Sequence, residues 1–146
     1  MNCEVRSAKA TELEWVNERY DEVEFVHSTY DNEIIAIAEV DGQKAGIGRL
    51  VMINNKNLEL GGMYVFESFR GKGIAAQIVK FLLENTLSDC TIFCIPFQQL
   101  EAFYQKHGFA SCHDLEQVPQ ELLKKYLWCK KKYSQPVSLL FLKKNA

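Results

Sequence analysis

Between residues 58 and 76 the chain reads LELGGMYVFESFRGKGIAA. An apolar run ending at Val65 gives way to a short polar link. Arg70, Gly71, Lys72 and Gly73 follow, and Ile74, Ala75 and Ala76 open a helical pattern. This strand-to-helix handover constrains the fold more than any other stretch. Glycines there permit positive φ and close backbone approach, and a helix start leaves N–H groups unpaired. Such a junction is suited to an anion, above all a phosphate.

The flanking pattern predicts the rest of the architecture. TELE (11–14) has the capping-box form, so a helix is expected from about residue 12, within a helical region reaching about 30. EIIAIAEV (33–40) reads as a strand, and Asp41-Gly42 is a two-residue hairpin turn. KAGIGRLVMI (44–53) is the return strand, with Gly46 and Gly48 at a bend or close contact, and 58–65 is the third strand of the meander. After the junction, a helix is expected to about Asn85, a buried strand over 90–97, and a helix over 98–107 closed by Gly108. A strand from Phe109, a helical insert near 119–129 and a last strand over 136–142 complete the chain. A single α/β domain over 1–146, with a mixed sheet covered by helices on both faces, accommodates this order.

Charge and cysteine usage exclude several classes. No run of about 18 apolar residues is present, so no membrane span is expected. The N-terminus lacks a signal-peptide pattern, and the five cysteines are odd in number and irregularly spaced, which points to reduced thiols in a cytoplasm. Residues 1–40 hold ten acids against three bases, whereas 121–146 hold seven lysines against Glu121. These read either as two solvated faces or as an acidic wall for cationic substrates. No nucleic-acid motif accompanies the lysines, and no metal-ligand spacing is visible.

Three phosphate motifs compete at 70–75. A Walker loop requires GxxxxGK[ST], which is absent, and a dinucleotide fingerprint requires a parallel βαβ unit, whereas an antiparallel meander precedes this loop. The third fits. Arg70-Gly71-Lys72-Gly73-Ile74-Ala75 resembles the R/Q-x-x-G-x-G/A signature of the GNAT superfamily of acyl-CoA-dependent N-acetyltransferases, and FYQKHGF (103–109) resembles a second segment of that family. The two lie in the family's order, separated by the helix and strand it requires.

The resemblance implies a GNAT-like fold in which the strand 58–65 splays from the strand 90–97. It implies that acetyl-CoA binds with its pantetheine along Met63, Tyr64 and Val65 and its pyrophosphate on Arg70, Gly71, Lys72, Gly73, Ile74 and Ala75. It also implies direct attack of a primary amine on the thioester, without a metal. Tyr104 holds the position of the family's general acid; the alternative for it is a packed helix tyrosine. Glu59 is a candidate base or a solvent-facing strand residue. His107, at a helix end, reads as a dipole partner. The family's Asn near the second motif is missing, with Phe97 seven residues before Tyr104. A non-catalytic acyl-CoA sensor and a transferase of longer acyl groups are the alternatives. The partners expected are acetyl-CoA and an amine acceptor, cationic if the acids of 12–24 face it. Neither nucleic acid nor membrane is expected, and a homodimer is left open.

Overall fold

Period-two apolar runs become sheet and 3.6-residue stripes become helix in the computed structural model, which describes residues 1–86 and 89–144. The strands are β1 (Cys3–Ser7), β2 (Glu33–Val40), β3 (Gln43–Met52), β4 (Asn57–Val65), β5 (Cys90–Cys94), β6 (Ala110–Ser111) and β7 (Leu140–Lys144). The helices are α1 (Leu13–Glu22), α2 (Ile74–Glu84), α3 (Glu101–Gln105) and α4 (Gln120–Lys132). The sheet order is β1-β2-β3-β4-β5-β7-β6. β4 and β5 are parallel, whereas β1–β2, β2–β3, β5–β7 and β6–β7 are antiparallel. This is the mixed, mostly antiparallel sheet that the sequence predicts. The chain divides into two compact units, 1–51 with 61–86, and 52–60 with the described residues from 89 onward.

In the first unit, register sorts side chains by size. Ile37 pairs with Ile47, while Ala36 pairs with Gly48 and Ala38 with Gly46. Because successive side chains alternate faces, Ile35, Ile37 and Ile47 gather on one side, where they form a core with Val16 and Tyr20 of α1. The small residues line the other side and admit α2. A Cβ built on Gly48 would stand 2.6 Å from Ile78 Cγ2, so the close contact expected at Gly46 and Gly48 is a helix packing against bare backbone.

In the second unit, β4 pairs with β5 from Asn57↔Thr91 to Leu60↔Cys94. Leu60, Cys94 and Leu140 fall on one face; Glu59, Phe93 and Phe141 fall on the other. The second face is the one α4 covers, with Phe93 in a core alongside Val118, Leu122 and Leu139.

Several expectations need correction. β1 was not anticipated, because a five-residue edge strand that includes Glu4, Arg6 and Ser7 carries too few apolar residues to announce itself. The capping box lies two residues early, at Lys9 and Glu12. Glu12 Oε1 accepts from the Lys9 N–H at 2.9 Å, a short 3₁₀ turn (Ala10–Glu12) intervenes, and α1 ends at Glu22 rather than near 30. The strands expected over 90–97 and 136–142 are interrupted by Pro96 and Pro136, which cannot donate to a ladder. β5 stops at Cys94 and β7 starts at Leu140, with only a bridge between Phe97 and Val137 beyond them. The helix expected over 98–107 is a 3₁₀ turn (Gln98–Leu100) followed by the five residues of α3.

Candidate active site

The loop after β4 has the backbone its glycines predict. Gly71 and Gly73 adopt φ of 78° and 77°, a region that costs other residues about 1–2 kcal/mol. A Cβ built on either meets no protein atom within 4 Å, so conformation rather than crowding demands glycine there. Gly73 is the N-cap of α2 and supplies no capping side chain, and the first helical bond runs from the Gln77 N–H to the Gly73 carbonyl at 3.3 Å. The amides ahead of it point out of the helix start, and the first turn holds no acid to compete for them. Lys72 is exposed. Arg70 is exposed too, and its Nε donates to the Val65 carbonyl at 3.1 Å, which ties the loop back to β4.

β4 enters this loop under restraint from α1. Gly62 adopts φ of 60°, and its carbonyl accepts from the buried Tyr20 hydroxyl at 2.8 Å. Arg49 covers the Tyr20 ring at 4.5 Å and donates to Ser28 Oγ at 2.6 Å. Two residues on, the Tyr64 hydroxyl donates to Glu22 Oε1 at 2.8 Å. That bond raises the Tyr64 pKa by stabilising the protonated phenol. Thus Met63, Tyr64 and Val65, all half-buried, follow a segment pinned at alternate residues. The sequence places Tyr20 in the apolar stripe of α1, but the anchoring role of its hydroxyl and the part of Arg49 are not legible there, because nothing local marks them.

Glu59 and Tyr104 lie in the second unit. Glu59 is 8% exposed and receives Lys125 Nζ of α4 at 2.6 Å. It is therefore not the solvent-facing strand residue that was one reading of it. Lys125 went unnoticed in sequence because it sits in a lysine-rich run that reads as solvated. Tyr104 is 7% exposed, edge-on to the rings of Phe103 and Phe109 at 4.9 and 5.9 Å. Its carbonyl closes the helix by accepting from the His107 and Phe109 N–H groups, while Ser138 Oγ donates to Glu101 at the start of α3. Burial, with the nearby Cys94 thiol, pushes the Tyr104 phenol well above its ordinary range. Cys94 shares a sheet face with Leu60, opposite to Glu59. The short α3 thus approaches the Cys94 side, while α4 covers the Glu59 side. His107 differs from the dipole partner expected. Its ring packs on Phe103 at 5.1 Å, and burial lowers its pKa, favouring the neutral imidazole.

A cavity of about 630 Å³ opens on the Glu59 face below Asn57, Thr91 and Phe93, with Lys56, Lys143, Asp89 and Asp114 around it. Charges of both signs leave it without a strong net field. The acidic stretch over 12–24 is also less free than its composition suggests. Glu12 is bound by Arg6, Glu22 by Arg19, and Asp21 by His27. Among the described residues, no group of three or more His, Cys, Asp or Glu side chains is placed to hold a metal, and no helix is long and apolar enough to cross a membrane.

A mixed sheet whose β4 leads through a glycine loop into an uncapped helix defines an acyl-CoA transferase fold. A family model described as an acetyltransferase (GNAT) domain matches residues 31–111, and the chain belongs to that family. No curated protein sequence matches it. Among solved structures, Rv2747 from Mycobacterium tuberculosis, in complex with CoA, aligns with TM-score 0.72 at 19% identity, over 96% of this chain and 98% of that one. Escherichia coli ElaA aligns with TM-score 0.70 at 13% identity, over 97% and 100%. N-acetylglutamate synthase from Neisseria gonorrhoeae, complexed with coenzyme A and N-acetyl-glutamate, gives TM-score 0.71 at 13% identity. There the match covers all of this chain but only 36% of the synthase. At such identities the likeness concerns the fold alone.

Proposed function

We propose that the chain transfers an acetyl group from acetyl-CoA to a primary amine by direct attack in a ternary complex. The observation that carries this reading is the loop at 70–75, two positive-φ glycines leading into a helix start with neither cap nor acid. Its amides and the field of α2 suit a pyrophosphate, with Lys72 adding charge. The backbone at Met63, Tyr64 and Val65, in line with that loop, suits the extended pantetheine of the donor.

Two proton movements accompany the acyl transfer. Glu59 accepts a proton from the acceptor ammonium, freeing a nitrogen lone pair that forms the new C–N bond as the C–S bond breaks. Tyr104 supplies a proton to the departing thiolate. A buried phenol raised above its ordinary value of about 10 holds its proton throughout the physiological range, as an acid must. The thiols of Cys3, Cys94, Cys112 and Cys129, none of them in a disulfide, agree with a cytoplasmic setting.

The test is thiol release from acetyl-CoA across a panel of amines, together with CoA binding by calorimetry. Gly73→Glu places a carboxylate at the helix start and is expected to abolish CoA binding while the protein stays folded. Unchanged affinity in that variant would remove the pyrophosphate assignment. CoA binding with no thiol release for any amine would assign the chain as an acyl-CoA sensor instead.

A further inference from the structure

The contact between Lys125 and Glu59 joins two partners of unequal burial. The Glu59 side chain is 10% exposed and that of Lys125 is 51% exposed. That inequality decides which of them can give the contact up. A carboxylate inside a protein is costly without a counter-charge, and losing one member of a buried pair is strongly destabilising. A half-exposed lysine has a flexible four-carbon stem and reaches water by changing rotamer. The pair can open only from the lysine side.

The surroundings leave the carboxylate little else. Phe93 is its cross-strand neighbour on the same face, in a core with Val118, Leu122 and Leu139. Cys129, one helical turn beyond Lys125, is buried and kept as a neutral thiol by desolvation. Among the described residues, Lys125 Nζ is the only hydrogen-bond donor to the Glu59 carboxylate.

We propose that Lys125 is a resident stand-in for the ammonium of the acceptor, an inference that rests on the reading of Glu59 as the base. With no acceptor bound, Lys125 Nζ satisfies the buried carboxylate. An incoming R–NH₃⁺ replaces it, hands one proton to Glu59 and attacks as R–NH₂. The amide product carries no cation, so Lys125 returns once Glu59 has lost that proton to solvent. The exchange also specifies the acceptor class. The displaced group is a primary ammonium on an unbranched methylene chain, so the matching acceptor is a primary alkylammonium end. A quaternary ammonium has no N–H to offer. The α-amino group of a free amino acid brings its own carboxylate beside Glu59 and is disfavoured by like charge.

The test uses n-butylammonium as the probe and thermal unfolding at pH 7 as the first readout. Lys125→Met is expected to melt below the wild type and to recover in a saturable way as butylammonium is added. The wild type, where Lys125 competes, is expected to shift less at the same concentration, and neither the Glu59→Gln/Lys125→Met double variant nor Lys125→Met with tetramethylammonium at equal ionic strength is expected to recover. Equal effects of the two cations on Lys125→Met would overturn the proposal. Should Lys125→Met not fold, Lys125→Arg retains the charge and grips the carboxylate through a planar fork. In that variant the KM for butylamine in thiol release should rise several-fold with kcat within about twofold, because only the displacement is harder. An unchanged KM would overturn it equally. Thermal recovery without turnover of any amine by the wild type would count against Glu59 as the base while leaving the ammonium site standing. Turnover without recovery would count against the stand-in alone.

Discussion

Tyr104 is a packed side chain to which the proposed mechanism also gives a chemical role. Its ring is held between Phe103 and Phe109, so removing the hydroxyl alone should disturb little of the packing. Tyr104→Phe is expected to lower kcat by roughly 10²-fold or more while CoA affinity stays near that of the wild type, the signature of a lost general acid. Steady-state kinetics with calorimetric CoA binding checks this; unaltered kcat would leave Tyr104 as a packed tyrosine. The FYQKHGF segment was enough to single this residue out, because the family resemblance attaches to adjacent letters. Lys125 could not be found that way. Its partner lies 66 residues distant in sequence, and only the packing of α4 over β4 and β5 brings them together.

At the scale of elements, β4 is held less by its own propensity than by α1. Gly62 illustrates the dependence: a Cβ there would lie 2.6 Å from the Tyr20 hydroxyl and 2.8 Å from Arg49 Nε, at a backbone φ of 60°. Gly62→Ala is therefore expected to destabilise the protein by about 2–4 kcal/mol, combining the left-handed penalty with overcrowding. A shift of the urea midpoint with unchanged m-value would confirm the effect as stability rather than altered compactness. Helix starts and strand ends were the least legible features. A 3₁₀ turn (Gln98–Leu100) stands where the helix over 98–107 was expected to start, and Pro96 and Pro136 cut two strands short. In each case a backbone donor or its absence outweighed the apolar pattern.

At the scale of the whole molecule, charge is arranged more locally than composition implies. Arg6 binds both oxygens of Glu12 at 2.8 and 2.9 Å and also reaches Glu39 at 3.2 Å. The bonds from Arg6 lower the Glu12 pKa to about 2 from 4.5. A carboxyl depressed by folding contributes stability above its unfolded pKa and loses it as pH falls through the folded value. Stability is thus expected to hold above about pH 4.5 and to decline between that value and pH 2. Glu12→Gln should be less stable near neutrality and show a shallower acid decline, as read by denaturant titration at several pH values. Similar pairing limits long-range steering. If the free acids of the 12–24 stretch, such as Glu14 and Glu24, draw a cationic acceptor, its kcat/KM should fall as salt shortens the Debye length from about 30 to about 8 Å. A flat profile would show the field to be consumed in local pairs, leaving Glu59 and Lys125 to select the acceptor. The sequence by itself determined the meander, the glycine loop, the helix it opens and the family, because each depends on neighbouring residues and short-range backbone geometry. Which carboxylate is buried, which cation answers it, and which sheet face each catalytic candidate occupies were decided only by the tertiary structure. Those properties belong to pairs of segments far apart in the chain, and strand register and helix packing, rather than any local pattern, bring them into contact.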